Sequence, residues 1–337
     1  MSNKNSSQKN WTSWHHIFHK EILNNKTLIP DGANILIAVS GGQDSMALLN
    51  LINDLKQQHN WSLSVWHGDH QWHEKSSKYA SELKKYVNAK NIEYFSDQTN
   101  KEDIPSEEKA RNWRYKKLHE RASKLLTNNN QQQNKIYLLT GHTSTDNAET
   151  FILNLARGSN YEGLSNIESK RLLEKNIFLI RPILIFCRED TKNFCERMQI
   201  PVWEDPTNSD LKIKRNLVRQ KIIPKLEKIY PGCSKRINNF SQKMSKYSNE
   251  QKDLSDLAYL FCKDKKGIKR DLLRSISPEA RSSILNKFIK EICEKQLTSK
   301  NLSYLSSAIF DKKEGRIDLP EGYKIIWNKN YIDLKKV

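Results

Sequence analysis

No stretch of the 337 residues approaches the roughly 18 consecutive apolar residues that a membrane-spanning helix needs; the most apolar runs, Ile35 to Val39 and Phe178 to Phe186, are short and have polar or charged neighbours. Runs of that length suit buried strands. Apolar residues make up 36% of the chain and the mean hydropathy is −0.79, so no membrane partner is expected. Cysteine is scarce as well: Cys187, Cys195, Cys233, Cys262 and Cys293 are odd in number, widely spaced and without a C-x-x-C pair. That excludes a disulfide framework and a thiolate metal site, and fits a reducing cytoplasm. Residues 1–10 lack the apolar core of a secretory signal and read as a disordered lead. Neither G-x-G-x-x-G nor G-x-x-x-x-G-K-[ST] occurs, which excludes a dinucleotide fingerprint and a Walker loop.

Acidic residues are also in deficit, 39 against 57 Lys and Arg, for a net charge of +18. The stretch from Leu226 to Val337 holds 24 Lys and Arg against 14 Asp and Glu, a net +10. Such an excess suits a polyanion, because neutralising phosphates releases counterions and gives sequence-independent affinity. A Lys- and Asn-rich solvated surface accounts for charge alone equally well.

Trp11, Trp14, Phe18 and Ile22 recur at helical spacing, so residues 11–24 are expected to form an amphipathic helix packed on the elements after it. Short apolar runs then alternate with longer helical patterns. Asn34 to Val39, Ser62 to Trp66, Ile92 to Phe95, Lys135 to Thr140 and Phe178 to Ile180 read as strands; Asp44 to Gln58, Glu74 to Lys90, Ser106 to Leu126 and Thr145 to Ala156 read as helices. This alternation specifies an α/β fold, a doubly wound parallel sheet covered on both faces. The polar tract Asn128 to Asn134 reads as a surface insertion. After Pro224 and the Tyr230-Pro231-Gly232 turn the pattern changes to a smaller, mainly helical domain: a helical stretch from Ser234 to Cys262, a helix capped by Ser277 with Pro278 at its first position, another opening at Thr298 or Ser299, and short terminal strands from Arg316. The expected division is residues 1–24 as lead and helix, 25–228 as the catalytic domain, and 229–337 as a basic domain.

The strongest local signal is the strand Ile35 to Val39 running straight into Ser40-Gly41-Gly42-Gln43-Asp44-Ser45 and a helix. In an open parallel sheet the site lies at the carboxyl ends of the strands. Paired glycines let the backbone turn tightly and approach a ligand, and amides at a helix start attract an anion, with phosphate the natural guest. Further along stand Ala110-Arg111-Asn112-Trp113-Arg114-Tyr115, the run from Gly141 to Thr150, Leu155-Ala156-Arg157-Gly158, Arg181-Pro182, Glu204-Asp205-Pro206-Thr207-Asn208, and Arg215-Asn216 with Arg219 and Pro224.

The hexapeptide resembles the loop of the PP-loop ATP pyrophosphatases, and the series in that order resembles the tRNA(Ile)-lysidine synthetase family over most of residues 34–225. The resemblance implies an ATP-dependent ligase that adenylates carbon 2 of the wobble cytidine in a CAU-anticodon isoleucine tRNA. Free lysine then displaces AMP to give lysidine. ATP and Mg²⁺ are the implied cofactors, and tRNA(Ile) and lysine the partners. The smaller domain resembles the family's tRNA-recognition domain in position and charge. Homodimer formation is left open.

Such chemistry needs a pyrophosphate cradle, cations around the α-phosphate and an acidic pocket for an ammonium nucleophile. Ser40 to Ser45 form the expected cradle. Asp44 is placed to hold the metal or position the triphosphate, and also suits helix capping. Arg111 and Arg114, three apart on a helix, suit phosphate contact or a solvated face. His142, Asp146 and Glu149 fall on one stripe, fit to bind lysine's ammonium and take its proton, or to complement the helix dipole. Arg215, with Lys212, Lys214 and Arg219, suits tRNA or ATP, or a solvated helix. His67, His70 and His73 lack supporting ligands for zinc and instead resemble the family's His-x-x-His-Gly-x-Arg run, with Gln71 where glycine is usual and His73 where arginine is usual. Two other functions compete: another PP-loop tRNA-modifying adenylating enzyme, against which stands the want of paired cysteines, and a catalytically silent RNA-binding protein, against which stands the intact loop.

Overall fold

The computed structural model describes residues 11–72, 74–100, 102–103, 106–128, 135–164, 167–203, 210–293 and 297–336. The lead at 1–10, most of the 128–134 tract, the 204–208 motif and His73 lie outside them. Two compact units are present, Met1–Ser245 and Lys246–Val337. Among the described residues no helix is long and apolar enough to cross a membrane.

The first unit runs α1 (Ser13–Asn24), β1 (Asn34–Ala38), α2 (Gln43–Leu55), β2 (Ser62–Asp69), α3 (Ser76–Asn88), β3 (Glu93–Gln98), α4 (Glu107–Asn128), β4 (Ile136–Thr140), α5 (Ser144–Ala156), α6 (Tyr161–Leu164), β5 (Lys170–Glu174), β6 (Ile177–Ile180) and α7 (Arg188–Arg197). There follow α8 (Lys214–Leu217), a π turn (Val218–Ile222), α9 (Ile223–Ile229) and the first part of α10 (Cys233–Cys262). The strands form one sheet in the order β3-β2-β1-β4-β6-β5. All pairs are parallel except β5 with β6. The expected doubly wound sheet is therefore present, with an antiparallel edge strand that the alternation did not signal.

Side chains alternate across β1, and the sheet buries both faces. Ile35 and Ile37 pack into a core with α1, α2 and α7, whereas Leu36 joins Leu138 of β4, Leu179 of β6 and Leu118 of α4 on the other side. Helix α2 is buried nearly all round: Met46, Ala47, Leu48, Leu49 and Ile52 are fully enclosed. Truncating one of its leucines to alanine costs about 2–5 kcal/mol, because packing leaves a cavity that cannot fully relax. A rigid α2 fixes the loop that precedes it.

The second unit holds the remainder of α10, β7 (Lys263–Asp264), β8 (Gly267–Lys269), α11 (Arg270–Arg274), α12 (Pro278–Ile292), α13 (Ser299–Asp311), β9 (Gly315–Asp318), a 3₁₀ turn (Pro320–Gly322), β10 (Tyr323–Trp327) and β11 (Tyr331–Lys336). Its antiparallel sheet has the order β7-β8-β11-β10-β9. Ser277 caps α12, accepting from the Ala280 amide, and Thr298 caps α13 in the same way. The Lys263–Arg270 stretch is a hairpin in which Lys265 and Lys266 are exposed but Arg270 is fully enclosed. The Arg270 guanidinium donates to the carbonyls of Ile309, Lys312, Lys313 and Asn328. It caps the carboxyl end of α13, where a cation is favoured.

Candidate active site

The carboxyl ends of β1, β2 and β4 open into a cavity of about 390 Å³, a size that suits a nucleotide. The sheet order reverses between β1 and β4, the crevice where open α/β sheets bind ligands.

The loop Ser40–Ser45 forms its floor. Ser45 Oγ donates to the Gly42 carbonyl at 2.8 Å and accepts from the Ser40 amide at 3.2 Å, closing the turn on itself. Gly41 has φ +88°, a left-handed conformation that favours glycine, and lies under the ring of Trp203. The Trp203 amide donates to the Gly41 carbonyl at 3.0 Å, and its indole donates to Glu82 of α3 at 2.6 Å. Gly141, after β4, sits against the backbone at the start of α2; a Cβ there would lie 2.9 Å from Ser45 N. These contacts fix the amides of the loop before any anion arrives.

Asp44 stands in the first turn of α2, while the N-cap is Gly42. Its carboxylate is not spent on capping. Oδ1 accepts from Thr191 Oγ1, and Oδ2 lies 3.4 Å from Arg188, both on α7. Gln43 joins the same helix start by donating to the Arg188 carbonyl at 2.6 Å. Burial pushes the Asp44 carboxyl up to about 6, and neighbouring Asp146 adds to this, against the pull of Arg188. The group is a poorly compensated anion facing the cavity.

Thr143 caps α5 and exchanges hydrogen bonds with Asp146, which directs that carboxylate back to the mouth of the helix. Arg215 Nη2 reaches Asp146 Oδ1 at 2.9 Å and its Nε reaches Glu149 Oε2 at 2.8 Å. Arg219 Nε reaches Glu149 Oε1 at 2.6 Å and its Nη2 reaches Asp146 Oδ1 at 3.2 Å. Two arginines and two carboxylates thus form one buried network. Burial works against ionisation of Asp146, yet Arg215, His142 and Arg219 hold it below the usual carboxylate range. His142 donates to or accepts from Thr140 Oγ1 at 2.9 Å, and burial drives its imidazole down to about 3, so it is neutral.

Of the residues singled out from sequence, Ser40, Gly42, Gln43, Asp44 and Ser45 line the cavity together with Arg111, Arg114, His142, Asp146 and Arg215. Arg111 is exposed and packs its guanidinium over Tyr115 at 5.5 Å. Gly41 and Glu149 lie behind the wall: Gly41 supports the turn, and Glu149, fully enclosed, meets the site through the two arginines. Arg188, Thr191 and Trp203 were not singled out as site residues, whereas Arg219, read from sequence as a tRNA or ATP contact, is the second arginine of the network. The spacing of Arg215 and Arg219, four apart on a helix, carried that signal; the approach of α7 to α2 had none, since it joins residues far apart in sequence. Among the described residues no three His, Cys, Asp or Glu side chains gather as a metal site.

A PP-loop domain family matches residues 15–226. The chain is 70% identical over 336 residues to the tRNA(Ile)-lysidine synthase of Prochlorococcus marinus subsp. pastoris, covering 100% of each chain. It is 41% identical over 335 residues to that of Prochlorococcus marinus strain SARG, covering 99% of each. Among solved structures, the U34-tRNA thiolase NcsA of Methanococcus maripaludis superposes with a TM-score of 0.53 at 18% identity, over 69% of this chain and 80% of that one. That likeness carries the fold, a parallel α/β sheet. Phosphate loop, flanking cations, sheet topology and full-length identity agree: the chain belongs to the tRNA(Ile)-lysidine synthase family of PP-loop proteins.

Proposed function

We propose that this protein ligates lysine to carbon 2 of the wobble cytidine of CAU-anticodon tRNA(Ile), with ATP split to AMP and pyrophosphate. The observation that carries the reading is the meeting, on the wall of one cavity, of the Ser40–Ser45 loop with the arginine–carboxylate network of Asp146 and Arg215.

In the first step the cytosine carbonyl oxygen attacks the α-phosphorus and pyrophosphate departs. The loop amides and the start of α2 cradle the departing phosphates. Arg111, Arg114 and Arg188 spread positive charge around the α-phosphate, where charge develops. Asp44 fits Mg²⁺, since one carboxylate plus phosphate oxygens is that ion's usual donor set; the ion would offset charge on the leaving pyrophosphate. Thr191 and Arg188 hold the Asp44 carboxylate at the loop.

In the second step the lysine amine attacks carbon 2 and AMP leaves, so the ammonium must first lose a proton. Asp146 lies on the wall and suits the ammonium. Neutral His142 beside it is too weak a base to take a proton from an ammonium and suits instead a hydrogen bond from the amine, whose proton passes to water. Glu149 acts as a positioning residue that holds Arg215 and Arg219. The residues from 229 onward, with exposed Lys265 and Lys266, would hold the tRNA body through its phosphates. The substrates, tRNA and free lysine, put the reaction in the cytoplasm, and neither step calls for a second copy of the chain.

The test is transfer of label from α-phosphate-labelled ATP to CAU-anticodon tRNA(Ile) without lysine. Label should enter the tRNA and be released as AMP on adding lysine. Nucleotide hydrolysis that ignores tRNA would contradict the reading.

A further inference from the structure

With phosphates at Ser40–Ser45, the nucleotide's base still needs a seat. The β4 side of the cavity is taken by His142 and the charged network of Asp146, Arg215 and Arg219, poor company for a neutral purine. The β2 side is aromatic: Trp66, His70 and Trp72 line it, and the His70 ring meets Trp113 edge-on at 5.0 Å. Flat apolar rings suit base stacking. Gly68 keeps that wall close, since a Cβ there would come within 2.9 Å of the Trp113 ring.

His67 stands between the two regions. It lies at the end of β2, is 7% exposed and lines the cavity. Its Nδ1 is 2.8 Å from the carbonyl of Val39, the residue that leads into the phosphate loop. A carbonyl only accepts, so Nδ1 must carry the proton, and the ring nitrogen left for a ligand is Nε2. Burial lowers the affinity of this imidazole for a second proton, so Nε2 presents a lone pair.

We infer that His67 selects the nucleobase, its Nε2 accepting a hydrogen bond from the 6-amino group of adenine and facing the 6-oxo group of guanine with an unshared lone pair. The inference rests on the ATP reading and deepens it. Val39 acts through the ring: its carbonyl fixes the tautomer, and so ties base choice to the strand that positions the phosphates.

The test measures binding of ATP, GTP and purine riboside 5′-triphosphate, which lacks the 6-amino group, to the full-length protein with Mg²⁺ by titration calorimetry. Wild type should bind ATP about tenfold more tightly than purine riboside triphosphate, the worth of one net hydrogen bond, and about a hundredfold more tightly than GTP, which leaves a buried acceptor opposed. His67→Ala should bring ATP down to the level of purine riboside triphosphate. Equal affinity of wild type for all three nucleotides overturns the inference, as it would if the imidazole met the amine of the tRNA base instead. That result would leave ATP binding itself standing. No binding of any nucleotide by wild type overturns both the inference and the reading on which it rests.

Discussion

Arg215 Nε lies 2.8 Å from Glu149 Oε2, and through this contact a fully enclosed carboxylate governs the geometry of the cavity. Arg219 takes the other oxygen, so Glu149 anchors both guanidinium groups. Removing one partner of a buried pair strands the other charges and costs about 3–5 kcal/mol. Glu149→Gln should therefore lower the melting temperature and slow adenylation and lysine capture together. Asp146→Asn, on the cavity wall, should slow lysine capture more and let adenylated tRNA accumulate. Single-turnover assays of each step separate the two, and a Glu149→Gln enzyme with normal adenylation would contradict this division.

Asp44 connects stability to function through its ionisation. Its carboxyl titrates at about 6 in the folded chain, against an ordinary value of 3.8. Because the folded pKa is raised, the folded state binds more protons between those values, and stability falls as pH rises through that window. At pH 7 the buried charge costs about 3 kcal/mol at most, by the free-energy equivalent of the shift. Asp44→Asn should accordingly melt higher than wild type at pH 7, with the gap closing toward pH 4, while tRNA adenylation is lost. Calorimetric melts across pH, paired with pyrophosphate release, check both halves; a variant that melts lower at pH 7 counts against the assignment.

His142 gives the opposite slope. Burial holds its pKa at about 3 against an ordinary value of 6.5, so the unfolded state binds the extra proton between those values and stability rises with pH across that range. His142→Gln should flatten the acid limb of the stability curve. An unchanged acid limb in urea titrations at pH 4 and 7 would show that the imidazole is not buried as described.

Much of this site is legible in the sequence because it is local. The run Ile35 to Val39 into two glycines dictates a strand, a tight turn and a helix, and Ser277-Pro278 announces the start of α12. Contacts between distant segments leave no such trace. The approach of Arg188 and Thr191 to Asp44 depends on how α7 packs against α2. The burial of Arg270 leaves no local trace for a related reason: arginine is ordinarily a surface residue, and only the converging carbonyls of Ile309, Lys312, Lys313 and Asn328 make its burial favourable. The edge strand β5 was missed since Lys170 to Glu174 is mostly charged, as an exposed edge strand tends to be.

Gly141 is a sharp probe of the loop. Its missing side chain leaves room for the start of α2, with Ser45 N and Ser45 Cα 2.9 and 3.0 Å from where a Cβ would stand. Backbone cannot swing aside as a side-chain tip can. Gly141→Ala should displace the loop and raise the KM for ATP about tenfold or more, since phosphate contacts require placement on the scale of an ångström. An unaltered KM would show that the loop tolerates the shift.

The lysines of the hairpin in the second unit test tRNA docking. Lys265 and Lys266 are exposed. Reversing both to glutamate should weaken tRNA binding and flatten the dependence of log affinity on log salt by roughly 0.7–0.9 for each phosphate no longer neutralised. ATP affinity should not change. Filter binding over a range of salt concentrations gives the slope, and an unaltered slope places the tRNA elsewhere.

The decisive measurement is to incubate the protein with ATP, labelled lysine and unmodified CAU-anticodon tRNA(Ile), then digest the tRNA and analyse its nucleosides. The proposed reaction requires labelled lysidine in place of the wobble cytidine, with one AMP and one pyrophosphate formed for each lysine incorporated. ATP consumption that leaves the cytidine unmodified would contradict it.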